Sequence, residues 1–254
     1  MSMAPTLVSP VPATVKDCLT AQGFAVLPDI YSPVETAALL ETISGAETTS
    51  VNFRRSQDVF AIRNLLAEVP ALWSQLLTPT MHQLLAYLFP GATPHLVKAI
   101  YFDKPAGSNW LVAWHQDVMV GVNERRDLPG YGPWSQKNGD TTVLPPREGL
   151  ENIITLRLHL DDCDATNGAL RVVAGSHRHG VIPAPDLPSY TAHAQTCAVP
   201  AGGVMLMQPL TLHASQRSTS ARPRRVIHLE FATTELPAGL QWRERLTVGD
   251  PTWK

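Results

Sequence analysis

Trp114-His115-Gln116-Asp117 sets an imidazole and a carboxylate two residues apart. On a strand, residues i and i+2 project from the same face. His115 and Asp117 can then serve one point in space while Gln116 turns away. A second imidazole is available far along the chain at His213, in Leu212-His213-Ala214-Ser215. Two imidazoles and one carboxylate form a facial triad that binds ferrous iron and leaves positions open for a co-substrate and dioxygen. These residue types point to oxygenase chemistry. Spacing alone is weak support, because the chain has nine histidines and a rival pair in His159-Leu160-Asp161.

The elements that would carry these residues are legible in the pattern. Residues 1–12, with Pro5, Pro10 and Pro12, read as a loose arm. Residues 13–90 read as a helical layer. Thr14 to Gln22 reads as a short helix closed by Gly23, a favoured residue just past a helix end. Phe24–Leu27 reads as a strand. Ser32-Pro33-Val34-Glu35 has an N-cap, a proline at the first helical position and an acidic first turn. Pro70 to Leu77 and Thr78 to Phe89 read as two further helices. After Gly91 short apolar or alternating runs are separated by Gly, Pro, Asn and Asp: Leu96–Phe102, Leu111–His115, Ile153–Leu160, Ala169–Val173, Gln195–Val199, Val204–Gln208 and Arg225–Phe231. Many short strands with turn signals predict a sandwich or barrel. The expected fold is mainly β with an N-terminal α layer, a jelly roll over 91–254 within one domain of 1–254. The Gly- and Pro-rich segment 121–149 reads as a long active-site loop.

Composition excludes several classes. The 254 residues are 44% hydrophobic and 17% charged, with a net charge of −2. That is a globular balance, and no basic block suggests nucleic acid or an anionic membrane surface. No run of about 18 apolar residues offers a membrane span. The first residues lack the features of a signal peptide. Cys18, Cys163 and Cys197 are widely spaced and suit a reducing cytoplasm. The expected partner is a small-molecule substrate, and the sequence is silent on oligomeric state.

Three motifs in order carry a resemblance: Trp114-His115-Gln116-Asp117; Asn167-Gly168-Ala169-Leu170 leading to Gly175-Ser176-His177; and His213-Ala214-Ser215 followed by Arg224-Arg225. From about Phe24 to about Trp242 the chain resembles the phytanoyl-CoA dioxygenase family, iron- and 2-oxoglutarate-dependent oxygenases on a double-stranded β-helix. The resemblance implies that His115, Asp117 and His213 are the iron ligands. It implies an arginine some ten residues after the distal histidine, holding the far carboxylate of 2-oxoglutarate with two parallel hydrogen bonds. Arg222, Arg224 and Arg225 are candidates. Arg224 lies eleven residues after His213 and is favoured. Neighbouring strand residues face opposite ways, so Arg224 and Arg225 cannot both point inward on a regular strand.

Other residues are candidates for the same pocket. Ser215 could share the inward face of His213 and bond the co-substrate. Arg157 lies in Thr155-Leu156-Arg157-Leu158-His159-Leu160, where Thr155, Arg157 and His159 form one polar row that either lines the cavity or faces solvent. Trp134 could close over the site from the long loop. Arg63, Lys98, His159 and Arg225 could serve the substrate. The distal stretch departs from the family, with Gln216-Arg217-Ser218 where an Asn-x-Ser often stands.

The resemblance implies Fe(II), 2-oxoglutarate and dioxygen as reactants, and succinate and carbon dioxide as co-products. Because Asp117 is present, no ligand position is vacated for halide. Hydroxylation, or a related desaturation or cyclisation, of a small organic molecule is expected. The alternative is a cupin-like protein that binds a metal or small ligand without redox activity. Such a protein has no need of Arg224 and Ser215.

Overall fold

Local chemistry starts and stops the first helices. The computed structural model describes residues 14–46, 50–55, 59–104, 110–137 and 139–249, so the expected arm at 1–12 lies outside the described residues. Helix α1 (Val15–Gln22) ends at Gly23, whose φ of 85° is the left-handed conformation glycine adopts without penalty. A Cβ at Gly23 would also lie 2.5 Å from His177 Nδ1. After strand β1 (Phe24–Leu27), helix α2 (Pro33–Ser44) opens with a reciprocal capping box between Ser32 and Glu35. A short helix not expected from the pattern, α3 (Leu65–Glu68), precedes α4 (Leu72–Leu76), which is the helix expected over 70–77, and α5 (Pro79–Leu88) follows. The N-terminal region is not all helical, since β2 (Phe53–Arg55) and β3 (Val59–Arg63) pair within it.

The later strands are β4 (His95–Asp103), β5 (Val112–His115), β6 (Val120–Val122), β7 (Trp134–Lys137), β8 (Asp140–Val143), β9 (Ile153–His159), β10 (Leu170–Val172), β11 (Gln195–Cys197), β12 (Val204–Met207), β13 (His213–Ser215), β14 (Arg225–Ala232) and β15 (Leu246–Thr247). They form an eight-stranded sheet in the order β1-β12-β9-β14-β4-β3-β2 with β15 on β4, and a four-stranded sheet β11-β10-β13-β5. All of their pairings are antiparallel. These two sheets are the double-stranded β-helix.

Alternation sorts the large sheet into two faces. Leu156 and Leu158 of β9, Val204 and Leu206 of β12, and Ile227, Leu229 and Phe231 of β14 pack with helix residues such as Leu39, Leu72 and Leu84 in the main core. The opposite faces of the same strands carry Met205 and Met207, which meet Leu170 and Val172 of the small sheet. They also carry the polar residues Arg157, His228 and Glu230 into the interior. The segment 121–149, expected as a loop, contains strands: β6, β8 and β7 form a third sheet. Its Val120, Val122 and Val143 bury against Leu150, Leu240 and Trp242. No helix among the described residues is long and apolar enough to cross a membrane.

Candidate metal centre

The two histidines meet because their strands pair. His115 on β5 and His213 on β13 are direct cross-strand partners, and their ring centroids are 4.2 Å apart. The Nδ1 of His115 lies 2.8 Å from the Ala113 carbonyl, and the Nδ1 of His213 lies 2.9 Å from that of Thr211. A carbonyl only accepts, so both Nδ1 atoms carry the proton and both Nε2 lone pairs are free. The Nε2 atoms lie 3.7 and 3.6 Å from the two oxygens of Asp117. One atom from each of the three residues falls within 4.8 Å of the others.

Asp117 does not sit on the strand. β5 ends at His115, and the chain turns away with the Asp117 N–H donating to the Pro209 carbonyl at 2.9 Å. Gln116 fixes that turn. Its amide donates to the Gly180 and Leu210 carbonyls and accepts from the Ile182 N–H. Sequence reasoning passed over Gln116 as merely facing away, yet it ties two distant segments beside the site. Ser176 does a similar job for His213, because its hydroxyl accepts the Leu212 N–H at 2.8 Å. His177 of the same motif bonds the Thr20 carbonyl, and neither His177 nor His179 lines the cavities described below.

The donor set fits a divalent metal. One oxygen of Asp117 is buried with no hydrogen-bond partner among the described residues. Burial alone would raise the Asp117 carboxyl, but His213, His228, Lys98 and His115 hold it well below the usual carboxylate range. Burial, opposed by Asp117, pushes His213 down to about 4. Near neutral pH the centre therefore offers an ionised carboxylate at Asp117 and a neutral imidazole at His213, the forms a metal requires.

A cavity of about 260 Å³ opens on this centre, with Lys98, Arg157, Ser215, Arg224 and Trp110 on its walls. Arg224 is 4% exposed and immediately precedes β14. It donates to the Gly168 carbonyl at 2.6 Å and to the Ser215 hydroxyl at 3.2 Å, and meets no carboxylate among the described residues. Burial and the nearby Arg157 lower its pKa to about 10. Asn167-Gly168 builds the platform beneath it. The Asn167 side chain bonds the Asp164 N–H and the Asp162 and Pro223 carbonyls. A Cβ at Gly168, where φ is +83°, would come within 2.9 Å of the Gln216 carbonyl.

A row of buried charges crosses the large sheet beside the centre. Arg157 donates to His228 Nδ1 at 2.9 Å. The remaining His228 N–H then points at Glu230, 3.1 Å away, and Glu230 accepts from Lys98 at 2.7 Å. His228 and Glu230 went unnoticed in the sequence although His228-Leu229-Glu230 has the same i, i+2 form as His115-Gln116-Asp117. With Asp117 they make a second geometric cluster. This one is unsuited to a cation. Both His228 nitrogens are engaged, and Lys98 and Arg157 already bring positive charge.

The remaining candidates are placed differently. Arg225 is clamped to Asp161 through its backbone N–H at 2.9 Å and its Nε at 2.8 Å, and it lies outside the cavity lining. That clamp also takes Asp161 out of the rival pair. His159 is 2% exposed and lies outside the cavity lining. Burial and its neighbours Arg157 and Arg224 push it well below the usual imidazole range. Trp134 does not reach the co-substrate cavity either. As the first residue of β7 it pairs with Val143 and packs into the apolar cluster of the third sheet. Arg63 and Lys98 line a neighbouring chamber of about 330 Å³, whose wall also includes Asp117.

This fold with this centre defines a double-stranded β-helix of the metal-dependent oxygenase type. The family model for phytanoyl-CoA dioxygenase matches residues 19–226, and the chain belongs to that family. It is an oxygenase. Among solved structures it is similar to EctD from S. alaskensis with 2-oxoglutarate and 5-hydroxyectoine, at 19% identity and a TM-score of 0.69, covering 91% of this chain and 79% of that one. AviO1 from Streptomyces viridochromogenes Tue57 is 19% identical with a TM-score of 0.62, covering 91% and 97%. The 2-oxoglutarate-dependent carbocyclase SnoK from nogalamycin biosynthesis is 18% identical with a TM-score of 0.63, covering 92% and 88%. No curated protein sequence matches the chain.

Proposed function

We propose that His115, Asp117 and His213 hold Fe(II), and that Arg224 with Ser215 anchors the far carboxylate of 2-oxoglutarate. The reading rests on one juxtaposition. Two pre-oriented imidazoles and an ionised carboxylate share a cavity with a buried guanidinium that has no carboxylate partner. A buried cation without a counter-charge is costly unless a ligand supplies one. With dioxygen, iron and 2-oxoglutarate supply the oxidation of a C–H bond to C–OH, and 2-oxoglutarate leaves as succinate and carbon dioxide.

The chain's own residues do the rest. Arg224 orients the dicarboxylate through a fixed fork, and Ser215 holds that fork in place. Arg157 is a second buried guanidinium on the same cavity, suited to the dicarboxylate's negative charge while its NH1 stays on His228. Leu170, Val112 and Phe102 line the cavity and exclude water. The intact carboxylate at Asp117 favours hydroxylation of a small organic substrate, with desaturation and cyclisation as related outcomes. SnoK, a carbocyclase on the same fold, illustrates the latter.

The test is anaerobic. Fe(II) and 2-oxoglutarate added to metal-free protein should produce the visible charge-transfer band of the chelate. His213→Ala or Asp117→Ala should abolish the band. Folded wild-type protein that binds both components without the band overturns the reading.

A further inference from the structure

The 330 Å³ chamber beside the metal centre is lined by three cations, of which only Arg63 has no carboxylate within hydrogen-bond reach. Its lining includes Lys98, Arg243, Arg63, Asp140 and Glu244, with Asp117 on the shared wall. Lys98 is matched by Glu230 at 2.7 Å. Arg243 is matched by Oδ1 of Asp140. With its amide turned to suit its neighbours, Asn64 also accepts from Arg243 and donates to Glu244 at 2.9 Å. Glu244 takes the Ala99 N–H on its other oxygen, and burial pushes its carboxyl up to about 7, so it contributes only part of a charge near neutrality.

Arg63 is the most weakly held of the three. Its nearest carboxylate oxygen is Oδ2 of the Asp140 already committed to Arg243, at 3.9 Å, which is beyond hydrogen-bond reach. Its side chain is 48% exposed and makes no hydrogen bond among the described residues. A half-exposed guanidinium fork that lines a chamber, makes no hydrogen bond there and is held only by one long ion pair is suited to a planar or tetrahedral oxyanion. The chamber is at the small end of ligand-pocket volumes, which run from about 300 to about 1,000 Å³. The wall it shares with the metal centre puts any occupant next to the reacting position.

We infer that this chamber receives the substrate and that Arg63 docks an anionic group on it, a carboxylate or a phosphate. The inference rests on the iron and 2-oxoglutarate reading above, and the experiment separates the two. The full chain is loaded anaerobically with Mn(II) and 2-oxoglutarate, and loading is checked by water-proton relaxation before any anion is added. Failure to load defeats the metal reading, and this inference with it. Inorganic phosphate and carbon-13 acetate are then titrated separately, and paramagnetic broadening of the phosphorus or carbon line is recorded. Saturable broadening is expected for at least one anion, and the tighter one identifies the group. Arg63→Gln should load normally yet bind that anion about tenfold more weakly. Arg63→Lys keeps the charge and loses the fork, so its affinity should fall between wild type and Arg63→Gln. Equal broadening in wild type and Arg63→Gln overturns the proposal. So does the absence of saturable broadening with both anions in loaded wild-type protein.

Discussion

On one side of Asp117 stand His115 and His213; on the other stand His228 and Glu230. Both groups are tight enough to cage an ion by distance alone. They differ in what already occupies their lone pairs. The imidazoles of the first side spend only their Nδ1–H on backbone carbonyls two residues upstream and keep Nε2 open. On the second side, His228 receives Arg157 and donates to Glu230, and Glu230 receives Lys98. One side is prepared for a ligand, and the other is a completed ion chain. Composition cannot distinguish them; hydrogen-bond bookkeeping can.

The sharpest way to break this comparison is to swap the lesions. His213→Ala should eliminate the Fe(II)–2-oxoglutarate band and turnover, whereas His228→Gln should keep the band. The reverse pattern, read by anaerobic spectroscopy, would move the metal to the other side of Asp117. The next effect is on stability. Glu230→Gln leaves Lys98, whose side chain is 22% exposed, without its closest counter-charge and should cost about 2–3 kcal/mol by urea denaturation, while metal stoichiometry holds.

Glu244 tests how far the charge balance reaches into the second chamber. Its folded pKa of about 7 lies above the ordinary 4.5, so the folded state binds the extra proton between those values. Stability from this group is full below about pH 4.5 and is lost as pH rises through 7, a change of roughly 3 kcal/mol. Glu244→Gln should remove that decline, seen by comparing denaturation midpoints at pH 5 and pH 8.

Smaller effects separate the two adjacent arginines. Arg224→Gln should raise the 2-oxoglutarate requirement by about a hundredfold, the value of a charge-assisted hydrogen bond in a buried site. Arg225→Ala removes only the half-buried clamp on Asp161. It should cost about 1 kcal/mol of stability and leave the 2-oxoglutarate requirement unchanged. If Arg225→Ala raises that requirement and Arg224→Gln does not, the assignment of the co-substrate anchor is off by one residue.

Much of this was legible in advance because it depends on local pattern. Gly23, Ser32 and Pro33 mark helix ends through backbone geometry and capping, and those ends stand where expected. Leu156 and Leu158 against Thr155, Arg157 and His159 announce a two-faced strand, and the polar row does turn inward. The pattern could not say how deep each polar residue sits. Arg157 reaches the cavity, while His159, two residues on along the same face, backs its wall. Trp134 was expected at the co-substrate because its segment is rich in turn residues. Instead Val120, Val122 and Val143 organise that segment into a sheet with its own apolar cluster.

The sequence by itself determined the donor types, the helix caps and the alternation that makes a jelly roll, because these follow from backbone sterics and side-chain period. Only the tertiary structure decided how the two histidines meet Asp117. His115 and His213 are far apart in the chain and become neighbours through one strand pairing. Asp117 reaches them from beyond the strand because Gln116 and Pro209 hold the turn. His228, in the second cluster around Asp117, has both nitrogens engaged by Arg157 and Glu230.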